Sequence, residues 1–190
     1  VCVTWLYTIP NLAETLSIFG KVVLALLIQI GGIGIVTIAI YVLIVLGIKI
    51  GVTERYVIKE ALNQHSLSGV VRLVKSIVFT TLIIEVFGMA INFIVFSQEF
   101  DFWKALGVSA FHSISSFNNA GFDILGYSSL QSFGSNVLLN LNTMLLIVIG
   151  GIGFIVIRDI LSKKKWSTLS LYSKIVLKTT WFLIVTGTII

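Results

Sequence analysis

The sequence has few of the residues that a soluble protein places on its surface. Of its 190 residues 11% are charged and 57% are hydrophobic, and it holds a single cysteine, Cys2, and a single proline, Pro10. Such a composition leaves too little polar surface to cover a soluble core. One cysteine excludes an internal disulfide and a cysteine-ligated zinc cluster. With a mean hydropathy of +1.06, the chain is predicted to lie in a lipid bilayer.

The two ends of the sequence do not resemble natural termini. Residues 1–4 have no initiator Met and no basic region, so they do not predict a signal peptide. The last apolar run continues to Ile190. We therefore expect an internal fragment of a longer membrane protein.

Four apolar runs approach or exceed the roughly 20 residues that a spanning helix needs. They cover about 18–48, 77–96, 137–161 and 175–190. A fifth run, Trp103–Phe117, is too short, because about 15 helical residues reach only about 22 Å. The polar stretch Asn118–Gly121 follows it. This pattern predicts an all-α integral membrane protein with a re-entrant segment, in which a half-helix descends and an extended strand returns.

Basic residues lie between the apolar runs, and their distribution predicts the topology. One side carries two Lys/Arg-rich loops, and the other side has only Lys21 and Lys104. The positive-inside rule places the rich loops in the cytoplasm, so the re-entrant segment enters from outside the cell membrane. Because the net charge of +5 resides in these short loops, no nucleic acid partner is expected. The loop residues are Lys49, Arg55, Lys59, Arg72 and Lys75 in one, and Lys163, Lys164, Lys165, Lys174 and Lys178 in the other.

A five-residue motif occurs twice and predicts a repeated architecture. Ile-Gly-Gly-Ile-Gly appears at 30–34 and again at 149–153, each time inside a long apolar run. We therefore predict repeated helix–pore-loop–helix units, as in transporters built from parallel repeats. Residues 1–62 would end a first unit, 63–165 would form a second, and 166–190 would begin a third. The glycines of the motif predict either close helix packing or a hinge or gate: Gly31, Gly32, Gly34, Gly150, Gly151 and Gly153.

The stretch Asn118–Gly121 has two interpretations from its residues alone. It could be an ordinary extracellular loop, since Asn- and Gly-rich turns are common. Alternatively, non-helical backbone at membrane depth lines a water-filled cavity, where its carbonyl oxygens would replace the hydration shell of a monovalent cation.

Several motifs together resemble the Ktr/Trk/HKT superfamily of potassium transporters, most closely the bacterial Ktr branch. Residues 112–123, His-Ser-Ile-Ser-Ser-Phe-Asn-Asn-Ala-Gly-Phe-Asp, are similar to the family's second pore loop. Residues 28–34 and 149–154 resemble its first and second post-filter helices, and Glu85-Val86-Phe87-Gly88 resembles its Glu-x-x-Gly motif. Residues 1–4 resemble the end of the first filter.

The resemblance implies potassium uptake through one pore that four such units surround. By position, Asn118, Asn119, Ala120 and Gly121 would form the second filter strand, and Cys2, Val3 and Thr4 the end of the first. The family also implies a homodimer, a cytoplasmic nucleotide-binding regulatory ring of the RCK type, and no covalently bound cofactor. Potassium, and in some members sodium, would be the transported ion, and sodium dependence is a further expectation.

One residue departs from the family pattern. The family has Gly, or in some members Ser, after Val-Thr in the first filter, and this sequence has Trp5. Trp occupies far more space and disfavours positive φ. An altered filter, an engineered or sequencing change, and a local misalignment are all open explanations.

Two charged residues inside or beside the spans are further candidates. Glu85 lies within the second span, where an ionisable side chain suggests function, although a hydrogen bond to a neighbouring helix is the favoured interpretation. Arg158 lies at the cytoplasmic end of the third span and is expected to pair with Asp159 or snorkel at the interface, or else to contribute to gating. His65 and His112 lack metal-site spacing, and no acid–base arrangement for an enzyme is present.

The sequence therefore leaves more than one function open. Potassium uptake across the cytoplasmic membrane leads. A non-conducting or filter-altered membrane subunit with an interaction role is the alternative, and a sodium- or ammonium-preferring relative is the third.

Overall fold

The computed structural model describes residues 12–46, 51, 70–126, 128–163 and 165–189. All regular structure in these ranges is helical, as the sequence predicts. The predicted first filter, Cys2, Val3 and Thr4, and the neighbouring Trp5 lie outside the described residues, as does His65. The helices are α1 (Leu12–Thr15), α2 (Ile18–Ile33), α3 (Ile35–Val45), α4 (Val70–Phe96), α5 (Phe102–Phe117), α6 (Val137–Ile152), α7 (Phe154–Lys163) and α8 (Leu171–Ile189), with 3-10 turns at Ser129–Phe133 and Trp166–Thr168.

The predicted first and third spans are each two helices and not one continuous helix. The segments 18–33 and 37–43 meet at an angle of 101°, and α6 and α7 meet at 95°. Each break falls at the last glycine of the repeated motif, where Gly34 has a φ of 93° and Gly153 a φ of 87°. Glycine adopts positive φ without a steric cost, so it ends the helix there.

The spans differ in how clearly they could cross a bilayer. Within the described ranges, one unbroken helix, Arg72–Phe96, is long and apolar enough, and the number rises to three if each bent pair is one span. A sufficiently long and apolar helix is therefore present where the second span was predicted, and it begins earlier than expected. The helix α8, where a fourth span was predicted, is not among them, so that span stays a prediction.

The two helices that carry the repeated motif, α2 and α6, begin at similar caps. Ser17 precedes α2 and its hydroxyl accepts a hydrogen bond from the Gly20 amide at 3.2 Å. Asn136 precedes α6 and its side-chain oxygen accepts from the Leu139 amide at 3.0 Å. Both caps satisfy amides that have no partner inside the helix. The two motif-bearing segments thus share a capped start and a glycine end.

The short helix α5 lies at the centre of the described structure. It contacts α2, α4 and α6, and its C-terminal half is buried from Phe111 to Phe117 apart from the partly buried Ile114. At its N-terminal end Ala105 and Val108 pack in an apolar cluster. At the other end the Phe117 ring lies 6.2 Å from that of Phe154, which follows the bend at Gly153. The remaining cluster members are Val95, Phe96, Phe133 and Leu139.

Asp159 of α7 links this helix to the residues that follow it. Its carboxylate pairs with Lys163 at 2.7 Å and accepts hydrogen bonds from the Ser170 amide at 2.8 Å and the Ser173 hydroxyl at 2.7 Å. The expectation that Asp159 pairs with Arg158 is therefore wrong, because Lys163 lies one helical turn further on the same face. Arg158 is exposed and lines a narrow gap beside α4.

Candidate functional site

The C-terminal end of α5 is closed by a Schellman cap. The Ala120 amide donates to the Ser115 carbonyl at 2.9 Å and the Asn119 amide donates to the Ser116 carbonyl at 3.2 Å. Asn119 has a φ of +54°, the left-handed conformation that this cap requires. With 16 residues, α5 is about 24 Å long. The predicted half-helix is therefore present, and it ends in a defined geometry.

The segment after this cap is held by one serine. The Ser115 hydroxyl accepts a hydrogen bond from the Phe122 amide at 2.9 Å and donates to the Phe122 carbonyl. Gly121, the residue before Phe122, has a φ of +72°. The prediction of an extended strand over 118–121 is wrong for its first half, because Asn118 and Asn119 belong to the helix cap and irregular backbone begins at Ala120.

Three side chains from three helices form a buried polar cluster beneath the cap, and we call it the Glu85 cluster. The Gln29 amide nitrogen donates to Glu85 Oε2 at 2.8 Å. The Asn118 amide nitrogen lies 2.8 Å from the Ile114 carbonyl and 3.1 Å from both Glu85 Oε1 and Gln29 Oε1, so its two hydrogens are shared among these three acceptors. Glu85 is only 5% exposed. The cluster therefore joins α2, α4 and the end of α5.

Each of the three helices around α5, namely α2, α4 and α6, has a glycine where it contacts α5 closely. A Cβ on Gly32 of α2 would lie 1.7 Å from Asn118 Oδ1, and one on Gly150 of α6 would lie 1.8 Å from the Phe117 carbonyl oxygen. A Cβ on Gly88 of α4 would lie 2.7 Å from Ser113 Oγ. A Cβ on Gly151 would have as its nearest neighbour in the described structure Asn119 Nδ2, at 3.9 Å. Within each motif, therefore, one glycine provides contact and another ends the helix.

A cavity of about 240 Å³, lined by both polar and apolar side chains, lies between α5, the segment after it and α6. Within its wall the His112 Nε2 atom is 2.9 Å from Thr143 Oγ1, whose own hydrogen goes to the Leu139 carbonyl at 2.8 Å. Asp123 accepts from the Leu125 amide at 3.0 Å and from the Ser129 hydroxyl at 2.6 Å. The cavity wall is thus internally hydrogen-bonded.

Among the residues that the structure describes, no group of three or more His, Cys, Asp and Glu side chains could hold a metal ion. The chemistry that the site offers is instead that of backbone carbonyl oxygens at a helix C-terminus, where the partial charge is negative.

The sequence predicted some of these side chains and missed others. Asn118, Asn119, Ala120, Gly121 and Glu85 come together at the end of α5, whereas Arg158 lies elsewhere. Gln29 was not predicted as a site residue. Its signal was available, since a polar side chain inside a span is costly and usually has a partner. Asn142 was also missed, although it too is a polar side chain inside a predicted span. It donates to the Gly88 carbonyl at 3.0 Å and to Asn92 at 2.8 Å.

A substitution at Asn119 tests the cap. Its side-chain nitrogen lies 3.4 Å from the Phe117 carbonyl and 3.3 Å from the Ile147 carbonyl, so these bonds are long and weak. Asn119→Gly is expected to keep the melting temperature of the detergent-purified protein nearly unchanged. Asn119→Val is expected to lower it clearly, because the left-handed conformation costs a β-branched residue about 2 kcal/mol. Equal melting of the two variants would contradict the left-handed cap.

Comparison with known proteins points to one group. The profile of a family described as cation transport protein, TrkH, matches residues 1–190. The potassium/sodium uptake protein NtpJ of Enterococcus hirae is 42% identical over 190 residues, covering 100% of this chain and 42% of that protein. Ktr system potassium uptake protein B of Bacillus subtilis is 39% identical over 167 residues, covering 88% and 37%. Protein D of the same system and organism is 38% identical over 187 residues, covering 96% and 41%. The chain thus spans about two fifths of the length of these relatives.

Proposed function

The chain belongs to the TrkH family of cation transport proteins, and from that premise we propose that it forms part of a potassium-selective pore in the cytoplasmic membrane. The observation that carries the proposal is the buried, Schellman-capped short helix, followed by irregular backbone that one serine holds on both sides. The relatives are named as uptake proteins and not as enzymes, which supports transport in place of catalysis.

The proposed mechanism begins at the end of α5. A potassium ion would exchange its hydration water for backbone carbonyl oxygens of residues 118–121, with the negative end of the helix dipole directed at it. Residues 118–121 would be the second filter strand, Cys2, Val3 and Thr4 would form the end of the first, and two further strands would complete the ring. The ion would then move down the membrane potential, which is worth about 2.3 kcal/mol per charge per 100 mV.

The proposed architecture follows the repeated motif. Residues 1–62 would close a first pore unit, 63–165 would form a second and 166–190 would begin a third. The filter side would face outside the cell and the Lys/Arg-rich loops would face the cytoplasm. There the protein would meet a nucleotide-binding regulatory ring of the RCK type, and it would form a homodimer. The printed names of two relatives refer to a Ktr system, which supports a transporter of several components.

A second candidate function rests on Trp5. A Trp in place of the first-filter glycine predicts a narrowed or distorted filter, and hence a non-conducting or filter-altered subunit with an interaction role. A pore that prefers sodium is the other outcome, and one relative is named a potassium/sodium uptake protein.

Rubidium uptake in a bacterium that lacks its own potassium uptake tests the proposal, with the complete protein encoded by the gene. We expect uptake by the unsubstituted protein. Gly121→Asp should lower it at least about tenfold, because a strained backbone costs about 1–3 kcal/mol and its carbonyls would turn away from the ion.

A Trp5→Gly variant, compared at equal membrane expression, separates the alternatives. Uptake that appears only with Trp5→Gly would identify a filter-disabled member of the family. Uptake that Gly121→Asp does not affect would contradict the assignment of 118–121 to the filter.

A further inference from the structure

The Glu85 cluster has hydrogen-bond roles that fit only one arrangement of donors and acceptors. Both oxygens of Glu85 accept a bond, one from Gln29 and one from Asn118. Gln29 uses its nitrogen as the donor to Glu85 and its oxygen as the acceptor from Asn118. Asn118 acts here only as a donor. Position 85 therefore needs two acceptors, which a carboxylate supplies and a carboxamide does not.

Glu85 makes no salt bridge in the described part of the chain, where the ion pair found is Lys163–Asp159. A carboxylate that is 5% exposed within a spanning helix is costly to bury. A purely structural link between α4 and α5 already exists close by, since the Ser113 hydroxyl donates to the Glu85 carbonyl at 2.7 Å. The bonds of the carboxylate to Gln29 and Asn118 are therefore additional to this backbone link.

These bonds hold Asn118 at its position in the cap. Asn118 ends α5 and directly precedes the left-handed Asn119. Gly32 of α2 packs against one side of the Asn118 carboxamide, where even a Cβ would not fit, while Glu85 and Gln29 hold its nitrogen. Because Asn118 is also the C-cap residue, a displacement of its side chain from this cluster would shift its own backbone and, through the cap, the carbonyls of 119–121.

We propose that Glu85 is a positioning residue for ion discrimination, acting through Gln29 and Asn118 to fix the direction of the carbonyls that begin at the cap of α5. The proposal rests on the proposed function, since discrimination has meaning only if the pore conducts. Glu85 itself need not touch the ion.

The test compares the isosteric variant Glu85→Gln with a swap, Glu85→Gln combined with Gln29→Glu. The single variant replaces one acceptor oxygen at position 85 by an amide nitrogen. That nitrogen then faces the donor nitrogen of either Gln29 or Asn118. The swap restores the full set, because the new carboxylate at 29 accepts from 85 and from Asn118, while the carboxamide oxygen at 85 accepts from Asn118. Ser113→Ala is the matched control, since it removes a buried bond between the same two helices without touching the carboxylate.

The readout is the ratio of rubidium to sodium uptake by the complete protein at equal membrane expression, with the melting temperature measured alongside. We expect Glu85→Gln to lower the ratio about tenfold and the swap to recover most of it. Ser113→Ala should lower the melting temperature and leave the ratio unchanged.

Three outcomes would overturn the proposal. An unchanged ratio in Glu85→Gln would show that the cluster does not set discrimination. A swap that reaches the membrane and keeps the lowered ratio would exclude the donor–acceptor argument, and this comparison holds even if the single variant fails to accumulate. Absence of rubidium uptake by the unsubstituted protein would instead refute the proposed function, and this inference with it.

Discussion

Rubidium uptake is expected to fall to background when Gly150 is replaced by alanine. The added Cβ would lie 1.8 Å from the Phe117 carbonyl oxygen and 2.8 Å from its carbon. A backbone group in the last turn of α5 cannot rotate away as a flexible side chain does, so α5 and α6 must separate. Overpacking of this kind costs about 3 kcal/mol or more. Uptake and the melting temperature in detergent both report the effect.

The neighbouring glycine of the same motif provides the matched control. A Cβ on Gly151 has as its nearest atom Asn119 Nδ2, at 3.9 Å, which is ordinary contact. Gly151→Ala is therefore expected to change stability by about 0.5 kcal/mol or less and to retain uptake. Equal losses of uptake and stability in Gly150→Ala and Gly151→Ala would show that helical propensity, and not the contact with Phe117, is the cause. That result would contradict the close approach of α5 and α6.

Asn118→Asp is expected to cause the second large loss of uptake. It keeps the size of the side chain but replaces the nitrogen that donates to Glu85, Gln29 and Ile114 by an acceptor. Two buried carboxylates would then face each other, where like charges strongly oppose the ionisation of both. Uptake should recover in part as the external pH falls, because a proton shared between the two carboxylates restores a donor.

Asn118→Leu distinguishes the lost donor from the added charge. Leucine has a similar volume and no charge, and it leaves Gln29 and Glu85 bonded to each other. We expect a smaller loss of uptake than with Asp and no recovery at low pH. An equal, pH-independent loss in both variants would show that repulsion with Glu85 is not the cause, and that Glu85 lies further from Asn118 than the described geometry has it.

The sequence predicted the helical class and the short helix because both depend on local properties. An apolar run of a given length, followed by Asn-Asn-Ala-Gly, identifies where α5 ends without knowledge of its neighbours. The duplicated motif likewise predicted that its glycines would serve packing or bending. What composition could not assign was which glycine does which, since that depends on whether a neighbouring backbone or side chain lies near each one.

The polar contacts could not be predicted for the same reason. Glu85 was expected to bond to a neighbouring helix, with the serines of α5 as candidate partners. Its backbone carbonyl does accept from Ser113, but its carboxylate bonds to Gln29 and Asn118. Partners 56 and 33 residues away in the chain follow from the packing of three helices and leave no periodic pattern. The extended strand at 118–119 was wrong because the left-handed Asn119 completes a helix cap.

The hydrogen bond between Gln29 and Asn118 joins residues 89 positions apart, and this separation has a consequence for synthesis. The ribosome completes α2 and α4 before α5, so both partners of Asn118 already exist when α5 enters the membrane. A protein that began after α2 would insert α4 with a carboxylate that lacks its Gln29 donor. The two proposed units meet in this one bond network, and neither would reach its final form before the other had been made.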